Sequence, residues 1–379
     1  MSASDKSVMH AIEFLQERPK DTPFALTVAY YPPKAVGASK EPGGQWFPKE
    51  SSKALYANTT YEPPYDVEKA HADLPDFLKK KIMRNRYLER WDTTEKYNTG
   101  MRNYHALVTE VDLASSQIVE ELKRQGLYEN TMIIFTSDNG LMMGSHGLGG
   151  KWIAYEESIR VPLIIYDPRM PSEKRGSVDN SMTLNIDLAS TILGAANIAP
   201  PEAMQGRDIA DLYLSSNDGT SKLKEKPWRT EYLYEYPIWS LSQNSLIGER
   251  YKYIHWMGFQ SEQLFDIQED PFELNDLIKQ VSKDEAEVDS NHIAQMEKLA
   301  VGLFETLHGV KVTISELHDL LKEKGIAVGQ NKSESEEATL KELIEALISE
   351  LKIRYENVRN EVQGPGGKPD WCDPSLEYP

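Results

Sequence analysis

One cysteine in 379 residues excludes a disulfide framework and any zinc site built on several thiolates. No apolar run approaches the ~18 residues of a membrane-spanning helix. The N-terminus, MSASDKSVMHAIEFLQERPK, carries charges throughout and lacks the apolar stretch of a signal peptide. Basic charge is short as well: 42 Lys and Arg face 60 Asp and Glu, a net charge of −18, which argues against bulk nucleic-acid binding. Aromatic residues are plentiful. With 19 Tyr, 9 Phe and 7 Trp the chain can fill a core and is not disordered as a whole. At ~150 residues per domain, the length suggests two or three domains, or one large domain with an appendage.

Apolar periodicity predicts a helix over 5–17 and a longer one over 96–125, closed by Gly126. Three short apolar runs read as buried strands: Phe24–Tyr31, Thr131–Thr136 and Val161–Tyr166. A proline-rich stretch, 32–66, reads as a long irregular binding loop or lid. Another helix follows over 188–196, with Asp187 where the helix dipole favours a carboxylate. Strands separated by amphipathic helices imply a parallel α/β sheet. From about 215 the pattern changes to period two, in Glu231–Tyr236, Ser245–Gly248, Tyr251–Trp256 and Glu262–Asp266, which predicts a small antiparallel sheet. The expected domains are therefore 1–215, an α/β catalytic part; 216–285, a small antiparallel subdomain; and 286–379, a mainly helical acidic tail with a disordered end.

Chemistry concentrates in Phe135-Thr-Ser-Asp138-Asn139-Gly140, followed by Gly144-Ser-His146-Gly147 and Lys151-Trp152. A buried strand delivers a carboxylate and an amide at its C-terminal end, where open α/β sheets bind ligands. Oxygen donors of this kind suit Ca²⁺ or Mg²⁺. A histidine and a lysine follow within one loop. Together they offer cation, proton donor and fixed positive charge to an anionic ester whose leaving oxygen gains charge. Asp-Asn-Gly alone is an ordinary turn signal, and a lone loop histidine is usually surface decoration. The ordered set carries the argument.

That set resembles the type I sulfatases of the alkaline-phosphatase superfamily, over about residues 5–280. The carrying segments are Thr136–Gly140, Gly144–Gly147, Lys151-Trp-Ile-Ala-Tyr-Glu156 through Arg160-Val-Pro162, Tyr104–Asp112, Asn185-Ile-Asp187, Gln205–Asp208, and Tyr251-Lys-Tyr-Ile with Glu262–Pro271. The resemblance implies an alkaline-phosphatase-like α/β sandwich with a central, mostly parallel sheet, a small C-terminal antiparallel sheet and a helical tail. It implies calcium-assisted hydrolysis of sulfate esters of carbohydrate or aryl type. By position, Asp138 and Asn139 fall on calcium ligands and Lys151 on the lysine that contacts the sulfate. His146 lies beside it, in a segment whose role varies. Lys34 stands where the family normally has a histidine that protonates the leaving oxygen. A lysine is a poorer acid at neutral pH, but it can hold an anionic sugar or sulfate.

The family's nucleophile, a formylglycine made from a Cys/Ser-x-Pro-x-Arg motif, has no counterpart in this sequence. The paired Asp-Asp calcium site expected with it does not precede Lys34. The resemblance thus implies that the first strands of the sheet are missing, and the chain as given is expected to be incomplete and inactive. A non-catalytic sulfatase-like binding protein and a related phosphate or phosphonate ester hydrolase are the competing readings. The lone cysteine, in Cys372-Asp-Pro-Ser-Leu376, lacks the arginine and reads as coincidence. Asn58-Thr-Thr60 and Asn331-Lys-Ser333 are glycosylation acceptors if the chain is secreted, and the resemblance implies a secreted or lysosomal setting. Segment 314–347 vaguely resembles a SAP-type helical module, but its acids outnumber its bases and an amphipathic hairpin is the expected reading.

Overall fold

In the computed structural model, residues 2–37, 41–80, 82–214, 227–237, 241–259, 261–281, 290–323 and 336–363 are described. Cys372, Asn331-Lys-Ser333 and the coil after 363 lie outside them. The chain divides into two compact units.

The first unit comprises Met1–Lys151, Glu157–Asp179 and Thr183–Lys226. Helix α1 (Ala3–Glu17) opens on a capping box, in which the Ser2 side chain accepts from the Asp5 amide and Asp5 accepts from the Ser2 amide. Its buried stripe of Val8, Ala11 and Leu15 packs on the longest helix of the unit. Short helices follow: α2 (Glu50–Ala54), α3 (Val67–Ala72), α4 (Asp76–Lys79) and α5 (Ile82–Arg90). The long helix, α6 (Thr94–Arg124), buries Ala106, Leu107, Val111, Ala114 and Leu122 at helical spacing. Trp46, Tyr87, Trp91 and Leu107 form one core of this unit.

Strand β1 (Ile133–Thr136) pairs with β4 (Leu163–Tyr166), and β2 (Met142–Met143) pairs with β3 (Gly149–Gly150). The α/β class holds. Pairing of β1 with β4 is antiparallel, however, where the sequence pattern predicts parallel. The connection leaves at Thr136 and returns at Leu163, its partner in the register. It holds the β2–β3 hairpin, a 3-10 turn at Ser145–Gly147 and one four-residue α-helix, α7 (Glu156–Ile159). A parallel crossover needs a connection that carries the chain back along the whole strand. Phe24–Tyr31 alternates in burial, but no described strand pairs with it, so it is not a strand. A run with strand composition becomes a strand only where a ladder partner exists. One face of the β1–β4 ribbon presents Leu163 and Ile165 to Ile209, Ala210 and Tyr213. Helices α8 (Asp187–Ala195) and α9 (Ala210–Tyr213) complete this layer.

The second unit comprises Trp152–Glu156, Asn180–Met182 and Pro227–Pro379. Its sheet is the expected antiparallel meander: β5 (Glu231–Tyr236), β6 (Gln243–Gly248), β7 (Tyr251–Trp256) and β8 (Ser261–Asp266), hydrogen-bonded in that order. Helices α10 (Leu277–Val281), α11 (Ser290–His308), α12 (Ile314–Glu323) and α13 (Glu336–Gln363) follow. Leu246, Tyr251, Tyr253 and Leu264 of the sheet share one apolar core with Leu303 and Phe304 of α11 and Leu343, Leu347 and Leu351 of α13. The segment Trp152–Glu156 is fastened to this sheet. The Gln243 side chain accepts from the Ala154 amide at 2.9 Å and donates to the Trp152 carbonyl at 2.8 Å. Lys252, fully buried on β7, holds Glu156 at 2.6 Å and Glu273 at 2.7 Å.

Candidate functional site

The site grows from the end of β1. After Thr136 the chain turns through Ser137-Asp138-Asn139-Gly140, and each turn is fixed by local bonds. The Asp138 carboxylate accepts from the Asn139 amide at 2.9 Å. The Gly140 amide donates to the Ser158 carbonyl at 2.9 Å. The Asn185 side chain donates to the carbonyls of Ser137 at 3.1 Å and Asp138 at 3.3 Å. Gly140 has no room for a side chain, because a Cβ there would sit 2.2 Å from the Glu157 carbonyl oxygen. This close approach brings the Glu157–Arg160 segment onto the turn that follows Asn139.

Lys151 follows the β2–β3 hairpin directly, and its ammonium donates to the Asn139 side-chain oxygen. Three of the five residues expected at a site, Asp138, Asn139 and Lys151, therefore meet. The next residue, Trp152, has φ 92, a left-handed conformation rare for a bulky side chain. The chain thus changes direction sharply just past the lysine.

His146 lies in the hairpin loop, itself at φ 55, and is only 1% exposed. Its ring packs edge-on to Tyr65 at 5.7 Å, and its amide donates to the Tyr65 hydroxyl at 3.1 Å. It faces α3 and the Tyr65 loop rather than open solvent. Lys34 is exposed, with its ammonium over the Tyr31 ring at 5.5 Å. No described contact joins Lys34 to Asp138, Asn139 or Lys151. It sits at one end of the proline-rich segment that the sequence marks as a loop, which in fact carries α2.

Asp138 and Asn139 are oxygen donors, the kind of ligand a hard cation takes. They fit Ca²⁺ or Mg²⁺ in kind but not in number. Among the described residues no cluster of three or more His, Cys, Asp or Glu is placed to hold a metal. Two donors are a minority of the six to eight oxygens that calcium collects, at about 2.3–2.6 Å.

Sequence reasoning passed over two features. Asn185 orients the Asp138 backbone through its amide, a tertiary contact that its place before Asp187 gives no sign of. Asp187 itself is fully buried as a backbone acceptor, taking the Leu184 amide at 2.7 Å and the Arg207 amide at 2.7 Å. The second feature is Lys252, which sits in an alternating strand and reads there as a solvent-facing charge. Only the structure reveals its two carboxylate partners, Glu273 buried and Glu156 partly exposed.

A protein-family model described as "Sulfatase" matches residues 2–198, and one described as "N-sulphoglucosamine sulphohydrolase, C-terminal" matches 144–301. The chain belongs to the sulfatase family, the type I sulfatases of the alkaline-phosphatase superfamily. It is 26% identical over 333 residues to the N-acetylglucosamine-6-O-sulfatase of Bacteroides thetaiotaomicron, a match that takes in 73% of this chain and 57% of that protein. A solved structure, in complex with its substrate D-glucosamine-2-N,6-O-disulfate, superposes with a TM-score of 0.59 at 23% identity, covering 85% of this chain and 69% of that one. A phosphonate monoester hydrolase of Agrobacterium radiobacter superposes with a TM-score of 0.56 at 22% identity, covering 79% of this chain and 60% of that one. At those identities the two structures speak to the fold alone. The chain spans 57% of the length of the curated relative. No described helix is long and apolar enough to cross a membrane.

Proposed function

We propose that this chain carries the sulfate-holding part of a sulfuric ester hydrolase that acts on sulfated carbohydrate. The observation that carries the reading is the lysine ammonium of Lys151 seated on Asn139 beside Asp138, at the end of a strand. Lys151 would bind a sulfate oxygen and offset negative charge as the ester oxygen leaves. Asp138 and Asn139 would supply part of a calcium site, and bound calcium would draw charge from the sulfate group. The remaining ligands must come from outside this pair. A formylglycine nucleophile needs a Cys/Ser-x-Pro-x-Arg motif, which this sequence does not contain. We therefore expect the 379-residue chain to bind a sulfate ester without turning it over. His146, buried against Tyr65, would keep the hairpin loop in shape beside Lys151. Lys34 would meet the sugar at the edge. In this reading residues 1–215 are the latter part of the catalytic domain, 216–285 a small subdomain and 286–379 a helical extension.

The test is calorimetric titration of the purified chain with D-glucosamine 6-sulfate, paired with an aryl sulfate hydrolysis assay. Binding is expected, weakened about tenfold or more in Lys151→Ala, with no hydrolysis. Hydrolysis abolished by Lys151→Ala would overturn the expectation of inactivity. Equal affinity in wild type and Lys151→Ala would overturn the site. A second reading, a phosphate or phosphonate ester site, is favoured by the likeness in fold to the phosphonate monoester hydrolase. It predicts that phenyl phosphonate competes better than the sulfate ester.

A further inference from the structure

The sheet of the second unit has two faces of different character. Leu246, Tyr251, Tyr253 and Leu264 face the apolar core shared with α11 and α13. Neighbours along a strand point the opposite way, so Gln243, Lys252, Gln263 and Phe265 stand on the other face. Three of those four are polar, yet Gln243 and Lys252 are fully buried and Gln263 is 2% exposed. Burying such groups costs stability unless each is satisfied, and apolar residues would hold a sheet face at less cost. What a satisfied polar set adds is specificity: it admits one arrangement of what it grips.

It grips the backbone directly after Lys151. The Gln243 side chain bonds both the Ala154 amide and the Trp152 carbonyl. The Gln263 side chain donates to the Tyr155 hydroxyl at 3.1 Å and accepts from the Trp256 indole at 2.9 Å, and the Tyr155 ring meets Phe265 edge-on at 5.6 Å. Glu273 accepts from the Glu156 amide at 2.7 Å, while Lys252 holds both carboxylates. Every residue of Trp152–Glu156 except Ile153, itself fully buried, is thus bonded individually. Trp152 and Glu273 both keep left-handed backbones, φ 92 and 54, and strain of that kind persists only where the surroundings over-determine it. At its far end the segment runs straight into Glu157, whose carbonyl packs on Gly140. Lys151 before it and Glu157 after it are therefore joined by a stretch of fixed length and shape.

We propose that Gln243, Lys252 and Glu273 are positioning residues: through Trp152–Glu156 they set where the Lys151 ammonium stands against Asn139, and so how well it takes a sulfate oxygen. The sulfate in this statement rests on the proposed function; the placing of the lysine does not, and the two are tested apart. Each of the three acts through the chain rather than on the ligand.

The experiment measures two quantities on the full chain. One is the rate at which a pulse of acetic anhydride acetylates Lys151 without ligand, read by mass spectrometry. The other is the calorimetric affinity for D-glucosamine 6-sulfate, and melting temperatures accompany both. Gln243→Leu should speed Lys151 labelling and weaken binding, each about fivefold, the equivalent of one lost hydrogen bond. Glu273→Leu should act likewise, and Glu273→Gln, which restores an oxygen to the Glu156 amide, should recover most of both. Leu347→Ala, in the α13 core on the opposite face, should lower the melting temperature at least as much while leaving labelling and affinity as in wild type. Labelling at the wild-type rate in Gln243→Leu overturns the proposal. So does a Leu347→Ala chain that shifts labelling and affinity as far, because the effect is then general loosening. If Gln243→Leu does not fold, Tyr155→Phe deletes one hydroxyl on the same face and should raise labelling about twofold; no rise overturns the proposal. Faster labelling in Gln243→Leu with no sugar bound by wild type keeps the positioning role and overturns the sulfate site. Faster labelling with unchanged affinity overturns the link to sulfate binding.

Discussion

At the scale of single residues, the site depends on backbone approach as much as on charge. Gly140 is the sharpest case. A methyl group there would lie 2.2 Å from the Glu157 carbonyl oxygen and 2.9 Å from that of Arg160, both main-chain atoms that cannot swing away. Gly140→Ala should cost about 1–3 kcal/mol of stability, in line with other forced overpacking. It should also push Asp138 and Asn139 away from Lys151, so sulfate-ester affinity should fall with the melting temperature. A wild-type melting curve and affinity in Gly140→Ala would contradict the close packing. Asn185→Ala makes a milder counterpart: it removes two bonds to the Ser137 and Asp138 carbonyls, and affinity should drop more than stability. Asp138, Asn139 and Lys151 were legible in the sequence because they follow one strand within a single loop. Asn185 was not, because its meaning lies in contacts that only the folded chain creates.

At the scale of elements, the second unit is legible from period-two patterning, since each of its strands pairs with its neighbour in sequence. The Phe24–Tyr31 expectation failed for the converse reason: pairing is nonlocal and composition says nothing about a partner. Lys252 marks a further limit, as a charge at a core position of β7. Around it, burial raises the Glu273 carboxyl to about 7 from 4.5, against the pull of Lys252. Burial likewise raises Asp276 to about 6 from 3.8, against the hydrogen bond from the Leu264 amide. Both carboxyls hold protons more tightly folded than unfolded. The stability they contribute is whole below about pH 4 and is lost as pH rises through 6 and 7. Thermal melts should therefore fall from pH 5 to pH 8, and Glu273→Gln should flatten much of that slope. Carboxylates held below their usual range, such as Glu262 beside Lys352, lose their contribution only below their unfolded value and so act on the acid side of this window. A slope unchanged by Glu273→Gln would assign the titration to other groups. Lys252→Met is a different perturbation, leaving the buried Glu273 and the partly exposed Glu156 without their cation, and should cost about 3–5 kcal/mol.

At the scale of the whole molecule, the acidic surface and the apolar surface pull in opposite directions. A net charge of −18 keeps copies apart through mutual repulsion, more so at low salt. The β1–β4 ribbon works against it. Phe135 and Ile164 are partners in the register, so their side chains stand together on one face, 38% and 63% exposed. The opposite face is occupied by Ile209, Ala210 and Tyr213. Among the described residues the ribbon has two strands, and both of its outer edges carry backbone groups that another strand could pair with. Sequence reading foresaw both strands as buried, which is what their apolar composition says; the structure shows that one face is not. An exposed apolar pair beside strand edges should favour self-association, with a strength that depends on salt because charge repulsion opposes it. Light scattering of the wild-type chain should show growth in mean size as salt is raised from about 0.05 M to 0.5 M, as the Debye length shrinks. Ile164→Lys places a cation on that face without touching the Ile165 side, so it should keep the chain monodisperse over the same range. Growth that persists in Ile164→Lys would move the contact to another surface.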